Sequence, residues 1–134
     1  MTSAGSSRTR YRFTEMNPGQ LAEAAAGIIV DKLGDDVLVL DLRGHSPLAD
    51  YFVLATAGSS IHSLAIAEEL QVRLKQDGER PHHVEGTDSG LWVLLDYFDV
   101  VVHIFLGETR QFYGLERLWG DAPRRSFSSN DDRE

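Results

Sequence analysis

The spacing of apolar positions changes several times along the chain, and each change marks an element. After Asn17-Pro18, an N-cap followed by proline in the first turn, Leu21, Ala24, Ala25, Ile28, Ile29 and Leu33 recur at helical spacing until Gly34. Val37 to Leu42 and Tyr51 to Ala57 are short apolar runs of the kind buried on both faces of a sheet, separated by the loop Arg43-Gly44-His45-Ser46-Pro47. Ser59-Ser60 offers the next N-cap, and Leu64, Ala67, Leu70, Val72 and Leu74 predict a helix to Asp77, closed by Gly78. Pro81 to Glu85, Leu91 to Leu95 and Val100 to Leu106 read as three further strands, the last two joined as a hairpin by Asp96-Tyr97-Phe98-Asp99. A final helix, Glu108 to Trp119, carries Phe112, Leu115 and Leu118 on one face before Gly120 and Pro123 stop it.

The order helix, strand, strand, helix, three strands, helix predicts a single α/β domain with a mixed five-stranded sheet flanked by helices. Its expected extent is residues 17–123. Residues 1–16 read as a disordered lead-in, and residues 124–134 as a flexible polar tail.

Composition narrows the chemistry. A chain of 134 residues with 42% apolar content can bury one core. The absence of cysteine excludes disulfides, thiol nucleophiles and cysteine-ligated metal sites. No apolar run approaches the roughly 18 residues of a membrane span, so a cytoplasmic protein without a membrane partner is expected. Between Met16 and Trp119, 16 acids face 7 bases, a net charge of −9. Such a field repels phosphate, which argues against direct nucleic-acid readout; it would steer toward a basic protein, or serve only to keep the chain soluble.

Several spaced strings then resemble one family. They are Asp41-Leu42-Arg43-Gly44-His45-Ser46, Asp50-Tyr51-Phe52, Thr56-Ala57-Gly58-Ser59-Ser60-Ile61-His62, Glu85-Gly86, Trp92-Val93-Leu94-Leu95-Asp96-Tyr97 and Asp99-Val100-Val101-Val102-His103-Ile104-Phe105. Arg110, Tyr113, Leu115-Glu116 and Leu118-Trp119 complete the pattern. Over residues 17–123 the chain resembles the ribosomal silencing factor family, also called Iojap. The resemblance implies an α/β fold related to nucleotidyltransferases but without their activity. It implies binding to a basic large-subunit ribosomal protein, uL14, at the face where the small subunit docks, so that subunit joining is blocked and translation repressed. It also implies that the chain could form a homodimer. Two positions depart from the family pattern: Phe98 stands where a small residue is usual, and Ile61 where a basic one is common.

Carried onto this chain, the partner-binding residues would be Trp92, the turn Asp96, Tyr97, Phe98 and Asp99, and Tyr113 at the border. An aromatic anchor flanked by carboxylates suits a basic, partly apolar patch. Core packing competes for Trp92, and turn hydrogen bonding for Asp96 and Asp99.

The alternative is a nucleotide-dependent transferase using the Gly58-Ser59 helix start for phosphate. Helix capping explains that pair more simply. Metal-dependent transfer would need carboxylates converging from one strand face, and no Asp-x-Asp occurs within the strands. His82 and His83, adjacent on a strand, point to opposite faces, and His103 reads as a core histidine with a hydrogen-bonded ring. No catalytic residue, metal site or cofactor is therefore expected.

Overall fold

A computed structural model describes residues 16–129. The expected lead-in lies outside them except for Met16, which packs on the core, and so do residues 130–134 of the expected tail. Asn17 starts α1 (Pro18–Asp31) with a capping box: its side chain accepts from the Gln20 N–H at 2.8 Å, and the Gln20 side chain accepts from the Asn17 N–H at 3.0 Å. The apolar face of α1 then buries Leu21, Ala22, Ala25, Ala26, Ile28 and Ile29. β1 (Asp35–Asp41) and β2 (Tyr51–Ala57) follow, each with four consecutive buried residues, as their unbroken apolar runs predict.

The remaining elements are α2 (Ser60–Gln76), β3 (His83–Glu85), β4 (Trp92–Asp96), β5 (Val100–Leu106), α3 (Gly107–Tyr113), α4 (Leu115–Leu118) and β6 (Arg124–Phe127). The sheet order is β3-β4-β5-β2-β1-β6. Among the described residues, only the central β2/β5 pair is parallel. One face of the sheet is sealed by α1 and α2 around Ile29, Val53, Ile66, Leu70, Val93 and Ile104. The other carries a second core of Leu38, Leu40, Phe52, Leu54 and Phe105, closed by Leu115, Trp119 and Ala122. The C-terminal segment covers that face unevenly: α3 packs on β5 and β2, and Tyr113 reaches Trp92 at the start of β4, whereas Leu94, Asp96 and Val101 stay partly exposed.

Two expectations are corrected. The polar tail is not loose at its start: residues 124–127 form β6, pairing antiparallel with Val37 to Leu40 and giving a sixth strand. Without β6, the backbone edge of β1 would be unpaired, and Arg125 adds an ion pair to Glu23 at 2.7 Å. The single last helix is in fact two, because Gly114 adopts a left-handed conformation (φ 55°) and its N–H caps the Arg110 carbonyl at 2.8 Å.

Gly86 makes the β3–β4 connection possible. Its φ is 86°, and a Cβ there would overlap the Trp92 carbonyl oxygen. Gly86→Ala combines left-handed strain with a backbone clash and is expected to lower stability by about 3 kcal/mol or more. Urea unfolding followed by far-UV circular dichroism measures that loss.

Candidate partner-binding face

Pairing register fixes which side chains share the half-covered face. His83, Asp96, Val101 and Phe52 lie in one row across β3, β4, β5 and β2; Glu85, Leu94, His103 and Leu54 form the next. Trp92 stands opposite Phe105 in the third. Strand alternation sends Val93 and Leu95 to the sealed face and Trp92, Leu94 and Asp96 to the open one. Trp92, Leu94 and Val101 are each partly exposed, and exposed His83 and Glu85 flank them along the β3 edge.

Trp92 is neither sealed in the core nor free. Its ring packs against Phe105 at 5.0 Å and Tyr113 at 4.6 Å between centroids, and its Nε1–H donates to His103 Nδ1 at 3.1 Å. Tyr113 is half exposed and carries Phe112 edge-on at 5.0 Å. Leu91 extends the apolar surface, and a cavity of about 430 Å³ between β4 and α3 is lined by Leu91, Trp92, Glu108, Phe112 and Tyr113. His103 itself is 3% exposed; burial drives its pKa down to about 3, so the ring is neutral.

The turn lies at the far end of β4, about 13 Å from Trp92 by strand rise. Asp96 accepts from the Phe98 N–H at 2.8 Å, the turn chemistry expected of it, while its side chain remains on the open face. Phe98 is 68% exposed, holds φ at 83° and stacks on His82 at 4.8 Å. That left-handed backbone explains why a small residue would suit the position. Asp99 is exposed at the tip.

Tyr97 corrects the expected site. It is 5% exposed and belongs to the helix-covered core, because alternation carries it inward with Val93 and Leu95. Its hydroxyl has no hydrogen-bond partner among the described residues, and burial, with Glu79 nearby, pushes its pKa up to about 12. Tyr97→Phe removes an unsatisfied buried group, so stability is expected to hold or rise by up to about 1 kcal/mol. Urea midpoints together with large-subunit sedimentation check this, the second readout remaining at the wild-type level.

Leu94 and Val101, missed from the sequence, share strand parity with Asp96 and His103, and that parity was the available signal. Arg110 belongs to the strings that carry the resemblance, but its role rests on partners distant in sequence. Its Nη1 donates to the Asp36 carbonyl at 2.8 Å and Thr56 Oγ1 at 2.9 Å, while Nη2 pairs with the Glu116 carboxylate at 3.1 Å. This hub pins α3 to β1 and β2 and so holds Tyr113 over Trp92.

At the Gly58-Ser59 helix start, the Gly58 N–H and the Ser59 hydroxyl are engaged within the chain. The Gly58 N–H donates to His62 Nδ1 at 3.0 Å, and Ser59 Oγ accepts from the His62 N–H at 3.0 Å. His62 Nε2 meets the Lys32 carbonyl at 2.8 Å, tying the end of α1 to the start of α2. His82 and His83 diverge as strand geometry requires, one stacking on Phe98 and the other pairing with Glu85. No helix among the described residues is long and apolar enough to cross a membrane.

Comparison with known proteins gives the family. A family profile described as "Ribosomal silencing factor during starvation" matches residues 15–134. The Bacillus subtilis ribosomal silencing factor RsfS is 42% identical over 108 residues, covering 81% of this chain and 92% of the relative. The mouse protein named "Mitochondrial assembly of ribosomal large subunit protein 1" is 31% identical, over 63% of this chain and 38% of its own length. A crystal structure from Chromobacterium violaceum superimposes with a TM-score of 0.76 at 36% identity, covering 78% of this chain and 88% of that one. With its fold, its spaced motifs and these matches in agreement, the chain belongs to the ribosomal silencing factor family.

Proposed function

We propose that the protein is a non-enzymatic translation repressor, acting in the cytoplasm by docking its open sheet face on uL14 of the large ribosomal subunit. The docked domain occupies the surface the small subunit requires, so repression is steric and involves no chemical step. One observation carries this reading: an aromatic pair, Trp92 and Tyr113, sits on a half-covered sheet face beside Leu94 and Val101, within an acidic rim of Glu85, Asp96 and Asp99. A partly apolar centre with a charged rim is the anatomy of a protein interface, and the rim's sign selects a basic partner. The names of the bacterial relatives support a ribosomal role, and the name of the mouse protein supports the large subunit as that partner.

The test is sedimentation with isolated large and small subunits across about 0.05 to 0.5 M salt, a range over which the screening length shortens several-fold. Pelleting with large subunits alone, fading as salt rises, is the expected result. Reversing charge at both Asp96 and Asp99 to lysine should weaken low-salt binding about 10-fold and flatten the salt dependence. Equal pelleting with both subunits, or pelleting insensitive to salt and to the charge reversal, would reject the proposal.

A further inference from the structure

We propose that His103 is a positioning residue for this surface: by accepting the Trp92 indole N–H it fixes the ring's orientation and leaves only its π surface for the partner. The inference rests on the reading of Trp92 as the docking anchor. Its basis is geometric. His103 lies on β5 opposite Leu94, one row from Trp92, and its Nδ1 receives the Trp92 Nε1–H at 3.1 Å. Its ring neighbours are Phe52 at 4.5 Å, Trp92 at 5.9 Å and Phe105 at 5.9 Å, all uncharged.

Because Nδ1 accepts, the ring proton must sit on Nε2. That Nε2–H is buried and has no partner among the described residues. An apolar side chain at this register would avoid an unpaired donor, so the imidazole is a poor choice for stability alone. What it adds is directional. Packing against Phe105 and Tyr113 restrains the indole but does not set its rotation; a hydrogen bond from its single polar atom to a buried, neutral acceptor does.

A consequence follows for the partner. With its N–H occupied, Trp92 offers no donor to a partner carbonyl or carboxylate. An aliphatic stem ending in a cation, as in Arg or Lys, fits both the ring face and the acidic rim.

The test compares His103→Leu, which removes the acceptor, with His103→Asn, whose side-chain oxygen can take the place of Nδ1. Indole N–H exchange is read by NMR in the free protein, with the Trp92 signal assigned by its loss in Trp92→Phe, and binding is read by sedimentation with large subunits. In His103→Leu, Trp92 indole exchange should accelerate at least 10-fold and affinity should fall about 10-fold; His103→Asn should stay within about 3-fold of wild type in both. Should the Leu variant not fold, replacing Trp92 by benzothienylalanine keeps the ring, removes the N–H and should weaken binding 5- to 10-fold, about the effect of one hydrogen bond. Unchanged exchange and affinity in His103→Leu, equal losses in the folded Leu and Asn variants, or full binding by the benzothienylalanine protein would each overturn the proposal. Undiminished binding by Trp92→Ala would instead overturn the docking assignment, while the exchange measurement would still judge the His103–Trp92 bond.

Discussion

Trp92→Ala is expected to weaken binding to isolated large subunits about 100-fold, roughly 3 kcal/mol, the scale of a central aromatic anchor. Three things concentrate the effect at this residue. Trp92 is a large, partly exposed side chain at the open end of the face, and its ring is held by Phe105, Tyr113 and His103, so little freedom is lost on docking. It also separates the apolar cleft under Phe112 from the Leu94 and Val101 rows, so truncation admits water to both. Stability should fall by only about 1 to 3 kcal/mol, because one side of the ring already faces solvent. Urea unfolding therefore distinguishes a folded, non-binding variant from an unfolded one.

Acid should destabilise the protein through His103. The unfolded chain takes up a proton at this residue near its ordinary value of 6.5, whereas the folded chain resists until about pH 3 because the ring is buried among apolar groups. Between those two values the unfolded state binds more protons, so stability falls as pH falls, at about 1.4 kcal/mol per pH unit. Above pH 6.5 both states are neutral at this site and the effect vanishes. Between pH 6.5 and 4.5 the site's share is thus about 2 to 3 kcal/mol. Asp41, whose pKa is lowered by its hydrogen bonds to Arg43, adds acid sensitivity of the same sign only at lower pH. Urea midpoints for wild type and His103→Asn across this window isolate the term: the wild-type curve should be steeper by about one proton. Parallel curves would show that the folded protein accepts a proton at His103 as readily as the unfolded chain.

Much of this fold is legible in the residue pattern, for identifiable reasons. β2 and β5 begin and end where the apolar runs do, because central strands buried on both faces leave no room for polar residues. α1 is announced by Asn17, Pro18 and Gln20, whose side-chain chemistry is local. β6 escapes because Arg124 to Ser126 are exposed on an edge, with a single neighbouring strand and no inward-facing apolar stripe. The break at Gly114 escapes because Phe112, Leu115 and Leu118 keep an approximately helical spacing across it.

The proposed face is legible in part: Trp92, Asp96 and the turn come from one stretch of chain, which the resemblance marks. Tyr97 departs from the expected surface position because the alternation of β4 continues through the turn and carries its ring inward. The contribution of Arg110 depends on Asp36 and Thr56, 74 and 54 residues away, a relation that spacing within one helix cannot carry.

The most direct test of the account is site-specific photocrosslinking to large subunits from two positions on opposite faces of the sheet. A photoreactive phenylalanine at Leu94, beside Trp92 on the open face, should crosslink to uL14, and the same probe at exposed Val72 on α2 should not. Small subunits added beforehand as assembled ribosomes should abolish the Leu94 adduct, since both bodies claim one surface. An adduct with uL14 from Val72 and none from Leu94, or a Leu94 adduct undiminished on assembled ribosomes, would contradict it.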